Sequence, residues 1–144
     1  MVNKKLLKEL KKKLEKGPEA ADPDDTLKGF ELLKQFSQEN DEIKEFMTEM
    51  DILVQFEIFD IDKFYWLSVK EGKMDYGEGK VENPSFIMGT GMDIAVTMLF
   101  NEYDPVSAYM AGEIIIEGDL PAAMEFQDII NIAMEMFEDL IKDI

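Results

Sequence analysis

The sequence predicts one α+β domain (α/β in the broad sense) built on a five-stranded, mostly antiparallel sheet. Three observations predict it. The 144 residues suffice for one ordinary domain and are too few for two. Hydrophobic residues make up 46% and charged residues 33%, a globular balance that supports a sizeable core. The apolar spacing also changes from helical to two-residue and back again along the chain.

The opening run MVNKKLLKELKKKLEK puts Leu6, Leu7, Leu10 and Leu14 at helical spacing, so residues 1–16 read as an appended basic amphipathic helix. It holds seven lysines and two acids, net +5, whereas the remaining residues hold eight lysines and 30 acids, net −22. Residues 17–25 contain two prolines and a glycine and read as a linker, which leaves 26–144 as the domain. Thr26 can cap a helix carrying Leu27, Phe30, Leu32, Leu33 and Phe36, with Asp24 and Asp25 near its positive end. A second helix follows over 41–49.

The period then becomes two. Residues 52–59 read as a strand with Val54, Phe56 and Ile58 on one face and Gln55 and Glu57 on the other. Further strands are expected over 64–70, 74–79 and 85–90, and hairpin-length connections predict a mostly antiparallel meander. Asp93 begins a short helix over 94–100, with Asn101 beyond it. Asp104-Pro105 opens another, to Met110, which Gly112 ends. Residues 113–117 form the fifth strand, and a long last helix runs to about Ile141 with Pro121 in its first turn.

Composition excludes much chemistry. All fifteen basic residues are lysines, and cysteine, histidine and arginine are absent. That removes disulfides, thiol nucleophiles, Fe–S clusters, His-ligated metals, Ser-His-Asp triads and bidentate arginine clamps. The net charge of −17 argues against nucleic acid, which needs a basic footprint. Asp60-x-Asp62 and the acidic run 22–25 lack EF-hand spacing and read as turn and cap residues, and Gly89-Thr90-Gly91, followed by no Lys-Ser/Thr, is not a phosphate loop. No signal-length or membrane-spanning apolar run is present in the sequence, and a cytoplasmic protein is the expectation.

The stretch DPVSAYMAGEIIIEGDLPAAM, residues 104–124, resembles the sterol carrier protein 2 family: a helix opened by Asn/Asp-Pro, a Gly-hydrophobic strand ending in Gly-Asp, and an Ala-Met-rich helix. Upstream, YWLSVKEG at 65–72 resembles the family's aromatic-centred second strand and its turn. The likeness covers roughly 27–135. It departs where Glu113 replaces the family's lysine and where Asn101 stands near its usual glycine, and residues 1–16 are extra to it.

The resemblance implies helices packed over one face of the sheet, with an apolar tunnel between them that binds a lipid, no cofactor and no covalent chemistry. On composition alone, the broad apolar arc of the last helix is better explained as core filling; the resemblance turns it into a tunnel wall. Phe56, Ile58, Trp66, Phe86 and Met88 would then line the tunnel from the first four strands. Met98, Leu99, Tyr109, Met110, Ile114 and Ile116 would do so from the following helices and strand. Met124, Ile130, Met134 and Phe137 would contribute from the last helix. The eleven methionines suit a pocket for chains of varied shape, although methionine is also ordinary core filler. Gln127, at the edge of the arc, falls where the family often has a glutamine that meets a ligand's polar head; the alternative is a rim residue bonded to water.

Three functions are weighed: a lipid carrier or presenter, a small enzyme with a buried carboxylate/Tyr pair on a hydrophobic substrate, and an acidic protein-interaction module. The expected function is non-catalytic binding and transfer or presentation of a fatty acid, acyl-CoA, sterol or isoprenoid. Residues 1–16 have two competing sinks, an anionic membrane surface and the protein's own acidic body. Docking on the domain or on a partner subunit is expected without lipid, because the short linker keeps the local concentration high, and the docked segment is expected to act as a salt-sensitive lid or tether. The oligomeric state is left open.

Overall fold

A computed structural model describes residues 2–16, 22, 25–91 and 105–142. Three helices, α1 (Lys4–Lys16), α2 (Asp25–Glu39) and α3 (Asp41–Thr48), precede strand β1 (Asp51–Ile58). A single 3-10 turn, Phe59–Ile61, leads to β2 (Lys63–Lys70) and β3 (Lys73–Glu78). Then come β4 (Phe86–Thr90), the short helix α4 (Pro105–Met110), β5 (Ile114–Gly118) and the long helix α5 (Leu120–Ile141). The expected short helix over 94–100 and most of the expected linker lie outside the described residues.

Local chemistry accounts for the element ends. Asn40 caps α3 by accepting the Ile43 N–H, and Asp119 caps α5 by accepting the Ala122 N–H, with Pro121 in the first turn. Gly112 takes a φ of +77° after α4, a conformation that glycine adopts without a Cβ clash. Helix α2 starts at Asp25, the last residue of the expected linker. Its carboxylate accepts the Asp22 N–H at 2.8 Å and is 0% exposed.

The sheet order is β3-β2-β1-β4-β5. β1–β2, β2–β3 and β4–β5 are antiparallel, whereas β4 lies parallel to β1, so the sheet is mixed and mostly antiparallel. The meander therefore ends at β3, where the sequence predicts a further hairpin into β4. The reason is Gln55, which is buried on β1. Its amide donates to the carbonyls of Tyr65 and Gly79 and accepts the Val81 N–H at 2.7 Å. Ser85 continues the connection: its N–H donates to Leu53 O, and its hydroxyl accepts the Leu53 N–H. These bonds carry residues 79–85 back past β2 to the far side of β1.

Register separates the two faces. Ile52, Val54 and Phe56 share one face with Val69, Leu67 and Tyr65, with Met74 and Tyr76, with Phe86 and Met88, and with Ile116. The helices cover this face. Their buried side chains Leu32, Leu33, Phe36, Ile43, Met47, Phe126, Ile129 and Ala133 join the strand residues in one core.

Helix α1 belongs to that core. Leu7 and Leu10 are 3% and 8% exposed, and α1 packs on α2 and α5. Asn3 pairs with Gln35, Glu9 with Lys28 and Lys13 with Asp25, so α1 runs antiparallel to α2. Burying two leucines stabilises this docking by roughly 3–6 kcal/mol. Ordering the helix and gathering its lysines oppose that gain.

Candidate functional site

The interior between sheet and helices contains a row of aromatic rings. Tyr76 meets Phe30, Phe30 meets Phe56 at 5.0 Å between centroids, Phe56 meets Phe126, and Phe126 meets Phe86. The tilted and edge-on geometries are those that aromatic pairs prefer. The row crosses from β3 through α2, β1 and α5 to β4. Of the residues expected to line a tunnel, Phe56 and Phe86 stand in this row, and Met88 and Ile116 share their face.

At one end the row turns polar. The Tyr76 hydroxyl donates to Glu31 Oε1 at 2.9 Å, and the Gln35 amide donates to Glu31 Oε2 at 3.0 Å. Gln35 Oε1 in turn accepts the Asn3 N–H at 2.6 Å. Burial, followed by the bond to Glu31, pushes the Tyr76 phenol up to about 12. Sequence reading missed this cluster, because Glu31, Gln35 and Tyr76 stand on α2 and β3 and no local spacing links them.

At the other end the surface is apolar. Met110 on α4 is 81% exposed and Met124 on α5 is 70% exposed; Tyr109, Ile115 and Leu120 are exposed as well. Ile115 alternates to the sheet face away from the helices, whereas Tyr109, Met110, Leu120 and Met124 stand on two helices that both touch β5. Ile114 is buried on that strand, and Met98 and Leu99 lie outside the described residues.

The remaining expected residues are dispersed. Trp66 pairs with Gln55 and Gly77 on the sheet face away from the helices, where a Cβ at Gly77 would stand 2.7 Å from its ring. The sheet thus separates Trp66 from the aromatic row. Ile58 is buried at the end of β1, while Ile130 and Phe137 are half-buried against the core. Met134 is half-buried on α5. Gln127 is half-buried, and its amide donates to Asn131 one turn along the helix at 2.9 Å.

A separate groove of about 720 Å³ lies between α3 and α5, lined by Glu42, Glu45, Phe46, Thr48, Glu49, Met50 and Glu125. Its four carboxylates would repel a fatty-acid head, and none of the expected lipid-binding residues line it. Among the described residues no cluster of His, Cys, Asp or Glu is placed to hold a metal ion, and no helix is long and apolar enough to cross a membrane.

The model of the SCP-2 sterol transfer family matches residues 30–131. The chain belongs to that family. It is a domain of a lipid- and sterol-binding family, and α1 lies outside the matched region. No curated protein matches the chain. Among solved structures it is similar to the sterol carrier protein domain 2 of Helicoverpa armigera, at 19% identity and a TM-score of 0.64, covering 78% of this chain and 92% of that one. It is also similar to the UbiJ-SCP2 ubiquinone synthesis protein, at 15% identity and a TM-score of 0.63, covering 77% and 96%. A third is the sec-alkylsulfatase Pisa1 from Pseudomonas sp., at 17% identity and a TM-score of 0.58; the match covers 75% of this chain and 16% of that one. These likenesses show the α+β fold of the family. SCP2 domains are typically non-catalytic carriers, and the sulfatase shows the fold within an enzyme.

Proposed function

We propose that this domain binds one lipid, a fatty acid, acyl-CoA, sterol or isoprenoid, and carries it or presents it to another protein without chemistry of its own. The observation that carries the reading is the apolar neighbourhood formed by Met110, Leu120 and Met124 beside a helix-covered aromatic interior. Exposed apolar side chains gathered on adjoining elements are the usual mark of a surface that receives an apolar partner. The lipid's chain would enter there, alongside Ile116, and run toward the aromatic row. Burying a chain of roughly ten carbons gains about 8 kcal/mol before association costs, so longer chains or ring systems are expected to bind more tightly.

The enzyme reading has less support. A general acid works best with a pKa near the operating pH, and Tyr76 is moved the other way. The buried carboxylate of Asp25 is neutralised by Lys13 at 2.6 Å, with Lys28 at 3.7 Å, at the α1–α2 junction.

Titration of the intact protein with a fluorescent fatty acid should saturate near one per chain. Mass spectrometry of lipids extracted from the purified protein should identify the class carried. Absence of saturable binding across fatty acids, acyl-CoAs, sterols and isoprenoids would refute the reading.

A further inference from the structure

The leucines of α1 and the aromatic row pack into one core under the helix layer. A lipid chain that reaches this core would compete with those leucines for the same apolar contacts. α1 touches both α2 and α5, and it is attached to them by two leucines and a set of polar clasps. At its C-terminal end Lys13 grips the buried Asp25, and at its middle Glu9 grips Lys28 at 2.5 Å. At its N-terminal end the Asn3 N–H holds Gln35, which holds Glu31, which accepts the Tyr76 hydroxyl. That last chain of bonds connects α1 to the ring that ends the aromatic row.

We infer that α1 is a releasable strap: its leucine stripe and the far end of a lipid chain are alternative occupants of the seam between α2 and α5, and the strap must lift before the chain can seat fully. This rests on the lipid-binding reading above and names the regulation of that site. Three features make α1 suited to release. It stands outside the region matched to the family. Its apolar stripe is narrow. Its clasps are ionic or amide contacts, and the Glu9–Lys28 pair is partly exposed to water and so screened by salt. Lifting it frees the Gln35 amide to turn toward an incoming polar head while the leucines vacate an apolar surface.

The chain has no cysteine, so an introduced pair can be cross-linked without side reactions. The double variant Glu9→Cys/Lys28→Cys would be joined by a reducible bis-methanethiosulfonate spacer in the full-length protein. Uptake of a pyrene-labelled long-chain fatty acid would be followed by stopped flow in intact, truncated (residues 1–16 removed), linked and reduced forms. The expected result is uptake at least tenfold slower in the linked form than in the intact protein, restored by reduction, and at least tenfold faster in the truncated form. The linked arm keeps the test decisive even where truncation unfolds the domain. Equal uptake rates in linked, reduced and intact forms would overturn the strap and leave lipid binding standing. Absence of probe binding in every form would overturn lipid binding and the strap with it.

Discussion

Two flanks of the helix layer treat their apolar surface differently. On one, α1 lies antiparallel on α2, inserts Leu7 and Leu10, and is held by Lys13–Asp25 and Glu9–Lys28. On the other, α4 and the first turns of α5 leave Tyr109, Met110, Leu120 and Met124 exposed. The first flank carries its own cover, with charges that make the cover reversible. The second presents flexible thioethers that conform to a partner of varied shape. Side-chain burial thus separates residues that hold the fold from residues available to a ligand. Sequence alone cannot make that distinction, because Met124 and Ile129 both read as apolar helix positions.

The largest expected contrast is between a buried and an exposed apolar residue. Ile129→Ala should cost about 2–5 kcal/mol, because the side chain is fully buried among packed neighbours. Met110→Ala should stay within about 0.5 kcal/mol, yet weaken lipid binding. Urea unfolding measures the first, and fatty-acid titration the second. Comparable destabilisation by both substitutions would erase the distinction between the flanks.

Next in size is the buried ion pair. Asp25→Ala removes the partner of Lys13 and the acceptor of the Asp22 N–H. Lys13 can still reach water, so the expected loss is about 2–3 kcal/mol, below the full penalty for an orphaned buried charge. The same denaturant titration reads it, and the loss should shrink when residues 1–16 are already absent.

A smaller effect depends on pH. The bond to Lys28, with that residue's charge, holds the Glu9 carboxyl below its ordinary 4.5, and Glu9 holds the Lys28 ammonium above its ordinary 10.5. A lowered acid contributes stability above its unfolded value and loses it as pH falls through its folded value; a raised base contributes below its unfolded value and loses it as pH rises. The Glu9–Lys28 clasp should therefore operate between roughly pH 4.5 and 10.5 and fail outside that window. Acid titration of α1 docking, read by a fluorophore on Lys16→Cys, should show a transition below pH 4.5 that Glu9→Gln removes. An unchanged transition in Glu9→Gln would assign the acid release to other carboxylates.

Much of the fold was legible because it is written locally. The period change at Ile52, the Asp-Pro before α4 and the Asp119 cap with Pro121 place their elements within a residue or so. The β4 crossover was not legible. It depends on Gln55 meeting Gly79 and Val81, a contact visible only once β1 and β3 share a sheet. Gly89 falls in the expected fourth strand, but the sequence did not show that its missing side chain makes room for the ring of Phe59. The candidate site divides the same way. The shared face of Val54 and Phe56 followed from strand alternation, whereas Trp66 occupied the wrong parity for the helix-covered face, and the Tyr76–Glu31–Gln35 cluster depends on tertiary contact between β3 and α2.

The smallest expected effect concerns Gln127, which stands between the two flanks on α5. Its amide donates to Asn131 four residues on, an exposed pair of a kind worth about 0.2–0.5 kcal/mol. Gln127→Leu should therefore leave stability almost unchanged, which makes it a clean probe of binding. A residue that orients a polar head should, when replaced, weaken a fatty acid or a sterol more than a plain hydrocarbon of equal size, because only the former loses a hydrogen-bonding partner. The expected outcome is a several-fold loss for a fatty acid with little change for the hydrocarbon, each read by displacement of the same fluorescent probe. Asn131→Ala is the matching control: it removes the acceptor along the helix and leaves the Gln127 amide able to turn inward, so it should preserve or slightly strengthen fatty-acid binding. Equal effects of Gln127→Leu on both ligands would place this amide on the rim alone and move the polar-head contact to the Tyr76–Glu31–Gln35 end of the aromatic row.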